Sequence, residues 1–276
     1  MSKNTILSIL GLEHSGTTLL ARVLNNHPEA ISIGGIKNLT RFAAYQSNCS
    51  CGSGYGACAF WSSVEYEFKK RGHQLSQVSE AIKSSNKPLV KDLFTSVSIS
   101  TGKNLLIESS RQPAYLDLLP GAPDFASVAI HIFKHPGDQA WSAYRAGRNV
   151  LREIRHYRRR SFAILRQLEN HTAAIHVSHE NFCDEPTLHL RRLLLIGGFD
   201  LGKSQLESWG EKQMHIIGGN KMLKNRSSII KKDRSWRETL PLVYRAIAII
   251  IGGSAYKKNL IASKYCSGNL IERTEI

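Results

Sequence analysis

Apolar and polar positions follow one another along this chain in an order that predicts alternating strands and helices. Ile6, Leu7, Ile9 and Leu10 form a short apolar run, a polar segment follows from Gly11 to Gly16, and apolar positions at helical spacing then run from Thr17 to a stop at Pro28. A strand, a tight loop and an amphipathic helix account for that pattern. Residues 30–33 predict a second strand, 37–46 a helix, and 47–59, SNCSCGSGYGACA, a loop by its Gly and Ser content. Helical patterns cover 62–71 and 75–83, and a short strand is expected at 89–91. Residues 105–107 and 128–133 predict further strands, each followed by a polar turn and a helix, and 175–177 another. One long helix is expected from Pro136 to about Asn170, burying Ile154, Tyr157, Leu165 and Leu168. Residues 242–251 read as a core helix ended by Gly252 and Gly253.

Apolar strands without strict alternation, separated by helices, imply a parallel sheet covered on both faces. In such a sheet ligands bind at the carboxyl ends of strands, so the turns after the first strand, after Ile107 and after Phe133 gather at one edge. The 276 residues suit one α/β domain spanning 1–276.

The loop of the first unit, GLEHSGTT, has the chemistry of a phosphate socket. Backbone N–H groups of a Gly-rich turn meet the positive end of a helix dipole. Gly11 and Gly16 give the backbone freedom, and Ser15, Thr17 and Thr18 add hydroxyls. The spacing approaches the nucleoside-triphosphatase loop G-x-x-x-x-G-K-[ST], but Thr17 holds the lysine position, which disfavours an ordinary ATP or GTP site. In VAIHIFKHPGDQAWSAYRAGR a strand delivers Lys134 and His135 at its end, Pro136 opens a helix, and Ser142 lies two turns in. A cation at a strand end beside a helix start suits a second phosphate.

A formal charge of +15 calls for anionic partners: a phosphorylated donor, an acidic glycan, an anionic membrane surface or nucleic acid. MSKNT leads straight into the first strand without a leader pattern, no apolar run reaches the roughly 20 residues of a membrane span, and the five cysteines are odd in number. Reduced thiols and a cytoplasmic location are expected.

Five segments in order carry a resemblance to a known family. GLEHSGTTLL resembles the 5′-phosphosulfate loop of sulfotransferases that use 3′-phosphoadenosine 5′-phosphosulfate (PAPS), commonly [KR]-S-G-T-T. FKHPGDQAWSAYR resembles their 3′-phosphate site, commonly R-D-P-R-x-x-x-x-S. LLIESSRQPAYL is similar to the D-S-S-K or E-K-S segment, CSCGSGYGACAFW to the C-x-C-G…C-x-F-W loop of bacterial members, and HIIGGNKMLKNR, with Trp236 beyond it, to the late H-x-x-x-G-N segment. The resemblance runs from the first strand to about residue 240. It implies an α/β three-layer sandwich with a central parallel sheet and a P-loop-like nucleotide-binding fold, and an enzyme moving a sulfuryl group to a hydroxyl of a carbohydrate, lipid-linked or small-molecule acceptor. No nucleic-acid partner is expected.

By the same resemblance, Gly11, His14, Ser15, Gly16, Thr17 and Thr18 cradle the 5′-phosphosulfate, Lys134 and Ser142 hold the 3′-phosphate, and Gly219, Asn220 and Arg226 close over the nucleotide. Catalysis would rest on His14 at the loop, where relatives carry Arg or Lys, on Arg111 as a cation near the transferred group, with Lys37 a second choice, and on a general base. His135 and Gly137 replace the Asp and second Arg of the 3′-site pattern. Relatives often carry the base as a glutamate after the second strand, but here SIGGIK puts Gly35 there. Glu13, Glu108, Asp92 and His215, in that order, are the alternatives. The missing glutamate also opens a second reading, a non-catalytic PAPS or 3′,5′-ADP binder; a P-loop kinase is a third.

Cys49, Cys51 and Cys58 form C-x-C-x6-C with no histidine nearby in the sequence. Three thiols fall short of the four ligands of a structural zinc site, so the loop reads as a Gly-rich flap packed on Phe60 and Trp61, zinc is the competing reading, and no metal is expected. Arg145, Arg148, Arg152, Arg155 and Arg159 recur at steps of three and four, one face of the long helix. That stripe is either a solvated face or a surface for an acidic acceptor or anionic membrane.

Overall fold

The computed structural model describes residues 4–169, 171, 173–202, 204–218, 223 and 225–274, the last ten as backbone only. In chain order the elements are β1 (Asn4–Leu10), α1 (Thr17–Asn25), β2 (Ala30–Gly34), α2 (Leu39–Ala43), α3 (Ala59–Lys69), α4 (Val78–Lys83), α5 (Lys87–Thr101), β3 (Leu105–Arg111), β4 (Phe125–Phe133), α6 (Pro136–Arg145), α7 (Val150–Glu169), β5 (Ala174–Ser178), α8 (His179–Asp184), α9 (Pro186–Ile196), α10 (Trp236–Thr239) and α11 (Leu242–Thr274). The five strands form one parallel sheet in the order β2-β3-β1-β4-β5, flanked by helices, so the α/β expectation holds. The chain divides into two compact units. One takes residues 4–9, Thr18–Val128 and Leu190–Ile229; the other takes Leu10–Thr17, Ala129–His189 and residues 230–274.

In the first unit β2 and β3 pair in parallel from Ala30 against Leu105 to Gly34 against Glu108, with an irregularity between Ser32 and Gly34. Leu105, Leu106 and Ile107 are fully buried, as are Trp61, Val64 and Phe68 of α3 and Leu93, Phe94 and Val97 of α5. The strand expected at 89–91 is instead the start of α5. Asn86 accepts a hydrogen bond from the Leu89 N–H at 3.1 Å, Pro88 sits in the first turn, and Gly102 closes the far end at φ 66°. A cap of this kind contributes about 1 kcal/mol, enough to fix a short apolar run as helix. β3 also runs further than expected, through Glu108, Ser109 and Ser110 to Arg111, so the ESSR segment is strand rather than turn.

In the second unit β4 and β5 pair in parallel from Ala129 against Ala174 to Phe133 against Ser178. The single long helix expected from Pro136 is two. Gly147 at φ 64° breaks the run, the Arg148 N–H returns to the Ala143 carbonyl at 2.9 Å, and Asn149 caps α7 by accepting from the Arg152 N–H at 2.9 Å. The five arginines therefore do not share one helix face: Arg145 belongs to α6, Arg148 to the turn, and the exposed Arg152, Arg155 and Arg159 to α7.

Gly252 and Gly253 do not end a helix either; α11 continues through both. A Cβ on Gly252 would stand 2.6 Å from Cβ of Pro136, so glycine serves close approach to α6 rather than termination. α11 buries Ala248, Ala255 and Asn259 on one face while Leu242 and Ile250 are 76% and 78% exposed on the other, so it is a surface helix with apolar residues on both faces rather than a core one. No helix among the described residues is long and apolar enough to cross a membrane.

Candidate functional site

The phosphate loop lies in the second unit and packs on the carboxyl end of β4. A Cβ on Gly11 would meet the Ile132 carbonyl oxygen at 2.5 Å, and the same position would meet Ser15 Oγ at 2.6 Å. Ser15 is buried; its hydroxyl donates to the Leu12 carbonyl at 2.8 Å and its N–H points to the same oxygen at 3.3 Å. Its hydroxyl thus closes the turn. His14 takes φ 66° and Gly16 φ 99°. Two left-handed positions flanking Ser15 give the sharp backbone turn from which an anion nest can be built, and histidine tolerates that region better than most side chains. Thr17 is buried and Thr18 half-buried at the start of α1.

Lys134 follows β4. The Tyr157 hydroxyl donates to its carbonyl at 3.0 Å, fixing the backbone, and its Nζ lies 3.9 Å from Oδ1 of Asp138, beyond hydrogen-bond reach. Burial pushes the Asp138 carboxyl up to about 7, against the pull of Lys134 and helped by Glu180 and Asp233. His135 and Gly137, the departures from the family pattern, have structural causes. His135 Nδ1 accepts from the Gly137 N–H at 3.0 Å, capping α6 as an aspartate would, and burial keeps the ring below its ordinary pKa so that this lone pair is available. The ring stacks on Trp236 at 4.7 Å, and a Cβ on Gly137 would strike that indole at 2.6 Å. Ser142 is half-buried on α6.

Two further side chains stand at this loop that sequence reasoning did not place there. His179, the first residue of α8, is buried, and a Cβ on Gly16 would lie 2.3 Å from its Cδ2. Burial, then the charge of Lys134, lowers its imidazole to about 4, so it is neutral at physiological pH. The register that puts Phe133 beside Ser178 brings it next to Lys134, and no pattern within the sequence announces that pairing. Arg148, read as part of the stripe, reaches Glu13 at 4.0 Å and Glu153 at 3.5 Å, while its Nε and Nη2 are buried with no hydrogen-bond partner among the described residues. A guanidinium with idle buried donors beside a phosphate loop is suited to an anion.

The first unit holds the remaining candidates. Glu108 is fully buried in the middle of β3: its Oε1 accepts from the Ser110 N–H at 2.6 Å and the Ile36 N–H at 3.4 Å, and its Oε2 from the Ser8 hydroxyl at 3.1 Å. Burial raises its carboxyl, and these bonds oppose that. Gly35 is packed on the same strand two residues further along, where a Cβ would stand 3.1 Å from Cα of Ser110. Arg111 ends β3 at φ 63°, a strained position for an arginine. Lys37 lies in the short turn of helix after Gly35, and Asp92 contacts His73 at 3.1 Å. Arg226 is exposed, its carbonyl lying over Gly210; Gly219 and Asn220 fall outside the described residues.

Among the solved structures that share this architecture are two sulfotransferase domains. The sulfotransferase domain from the Synechococcus PCC 7002 olefin synthase superposes with a TM-score of 0.60 over 92% of this chain and 94% of its own, at 20% identity. The sulfotransferase domain from the curacin biosynthetic pathway does so with a TM-score of 0.56 over 90% of this chain and 97% of its own, at 18% identity. The chain has the sulfotransferase-domain fold. No protein-family profile and no curated protein sequence matches it.

One expectation about the cysteine loop is overturned. The three thiols do have a histidine beside them: His215, more than 150 residues along the chain, turns Nδ1 toward Cys58 Sγ at 3.4 Å and Cys49 Sγ at 3.8 Å. That orientation directs this ring nitrogen at sulfur, which counts against His215 as the general base.

Proposed function

We propose that this protein is a cytosolic PAPS-dependent sulfotransferase that moves the sulfuryl group to a hydroxyl of a carbohydrate, lipid-linked or small-molecule acceptor. The observation that carries the reading is the meeting, within one unit, of a phosphate loop that lacks the triphosphatase lysine with the cation of Lys134 at the end of β4. Two anion sites, one of them without the usual lysine, suit a donor bearing a 3′-phosphate and a 5′-phosphosulfate better than a triphosphate. In this reading the loop backbone from His14 to Thr18, the Ser15 N–H apart, holds the 5′-phosphosulfate at the start of α1, Lys134 and Ser142 hold the 3′-phosphate, and Arg148 adds donors at the loop. Attack of an acceptor oxygen on sulfur in line with the departing 3′,5′-ADP builds charge on the bridging oxygen, and fixed donors aimed at that charge lower the barrier. His14 is the loop residue assigned to that oxygen, and Arg111 the cation assigned to the transferred group.

The second reading, a non-catalytic binder of the same nucleotide, is favoured by Gly35, which carries no carboxylate, and by the complete burial of Glu108. One experiment separates them. Stabilisation by 3′,5′-ADP but not by ADP, with transfer of labelled sulfate from PAPS to any member of a broad acceptor panel, establishes the enzyme. Stabilisation without transfer establishes the binder. Stabilisation by ATP and magnesium alone rejects both.

A further inference from the structure

We propose that Cys49, Cys51, Cys58 and His215 hold a structural zinc ion, independent of the donor site and of any reading of the enzyme's activity. The four candidate ligand atoms lie within 4.8 Å of one another. A tetrahedral ion with ordinary zinc–sulfur and zinc–nitrogen bonds spaces its sulfurs about 3.8 Å apart and its sulfur and nitrogen about 3.6 Å apart. Here Cys51 Sγ and Cys58 Sγ are 3.7 Å apart, and His215 Nδ1 is 3.4 Å from Cys58 and 3.8 Å from Cys49. Those three edges match such a tetrahedron, and the other three are at most 4.8 Å.

The backbone is arranged to hold the cluster. Cys49 N–H donates to the Ser53 carbonyl and Gly52 N–H to the Cys49 carbonyl, both at 2.9 Å, with Gly52 at φ 95°. A tight turn of this kind presents two thiols, two residues apart, toward one point. Nothing would touch a Cβ on Gly52, so the conformation rather than space requires glycine there. Cys58 stands at the N-cap of α3 with no side-chain capping bond. His215 is fixed from three directions: the Trp61 indole donates to its carbonyl at 2.8 Å, its ring stacks on Phe60 at 5.1 Å, and Ser50 bonds both neighbours, accepting from the Ile216 N–H at 3.0 Å and donating to the Met214 carbonyl at 2.5 Å. Cys49 and Cys58 are buried, Cys51 and His215 half-buried.

Three thiolates and one imidazole fill all four positions, which marks a structural site rather than a catalytic one. Binding replaces three S–H protons, which leave to solvent, with three metal–sulfur bonds; the imidazole binds neutral through Nδ1. The ion would tie the 47–59 loop to the 214–217 segment, whose Ile216 fills the space over Gly34 and whose Ile217 carbonyl accepts from Asn38 at 2.9 Å. The stapled loop would then shape the carboxyl end of β2.

The test is elemental analysis of the full chain purified without chelator, with cobalt substitution of the same protein. About one zinc per chain, released by a mercurial thiol reagent, and a cobalt form with thiolate charge-transfer absorption and intense tetrahedral ligand-field bands are expected. The Cys51→Ser/Cys58→Ser variant should lose about tenfold or more of the metal, His215→Cys should keep it, and Cys183→Ser should match the parent. Metal-free protein from zinc-replete cells with a silent cobalt titration, or a Cys51–Cys58 disulfide in the freshly isolated chain, would overturn the site. The cobalt spectrum is read on the unmodified protein, so the site stands or falls on it even where a variant fails to fold.

Discussion

Gly16 and His179 are fitted to each other without room for a side chain: a Cβ on the glycine would lie 2.3 Å from Cδ2 of the ring. The contact joins the phosphate loop to the start of α8, and Gly16 also sits at φ 99°, where an L side chain is strained. Gly16→Ala is expected to cost about 2–4 kcal/mol, part backbone strain and part overlap with the imidazole. Thermal denaturation should show a drop of about 5–15 °C. His179→Ala in the same background should return about 1–2 kcal/mol, because it removes the overlap and leaves only the strain. Strict additivity of the two substitutions would show that the ring does not hold the loop.

Asp138 gives a pH dependence whose sign follows from its burial. Its carboxyl titrates at about 7 in the folded chain against an ordinary 3.8, so the folded state holds the proton more tightly and stability falls as pH rises between those values. His179 and His176, each lowered to about 4, act oppositely: the unfolded chain binds more protons below their ordinary 6.5, so their contribution falls as pH drops from 6.5 toward 4. A variant-minus-parent comparison isolates the aspartate. Asp138→Asn should be more stable than the parent by about 1–3 kcal/mol at pH 8 and much closer to it at pH 4. Denaturation curves at the two pH values check this, and an equal difference at both would mean that Asp138 titrates normally.

What the sequence showed in advance was local. The strand, loop and helix at 4–25 could be read because the socket, its glycines and its helix start are contiguous, and Lys134 because it follows an apolar strand directly. The short run at 89–91 reads as a strand by itself, and the Asn86 cap and Gly102 stop that make it helix both lie outside it. Gly252 looked like a helix stop because close approach to Pro136 is a tertiary fact. His215 reaches Cys58 across 157 residues and His179 reaches Gly16 across the fold, so no spacing rule could bring either to its site. His135 and Gly137 looked like losses from a motif; the cap and the Trp236 contact show what each does instead.

Lys134 should discriminate between nucleotides rather than bind all of them. A charge-assisted bond to a phosphate contributes about 1.5–3 kcal/mol, so Lys134→Met should weaken 3′,5′-ADP by about 10–100-fold in calorimetry. Weak binding of ADP, which lacks the 3′-phosphate, should change little. The substitution does not strand a buried charge, because losing the cation drives the neighbouring Asp138 further toward its neutral form. Ser142→Ala, which removes a neutral hydroxyl, should cost about 0.5–1.5 kcal/mol of 3′,5′-ADP binding. Equal losses for both nucleotides in the Lys134 variant would move the 3′-phosphate elsewhere.

Glu108 can be tested with two substitutions that pull in opposite directions. Its Oε1 receives two N–H donors, from Ser110 and Ile36, and its Oε2 receives the Ser8 hydroxyl. A glutamine can satisfy all three groups, with its carbonyl oxygen at the first position and its amide donating to the Ser8 oxygen at the second. Burial raises the Glu108 carboxyl, so the charged form costs stability as pH rises above the ordinary carboxylate range. Glu108→Gln should therefore equal or exceed the parent in stability at pH 8. Glu108→Ala leaves two buried N–H groups without acceptors and opens a cavity, a loss of about 2–5 kcal/mol. Activity then separates support from chemistry: a carboxylate that only fixes the end of β3 leaves turnover in Glu108→Gln within a few fold of the parent, whereas a general base loses about 100-fold or more with stability unchanged.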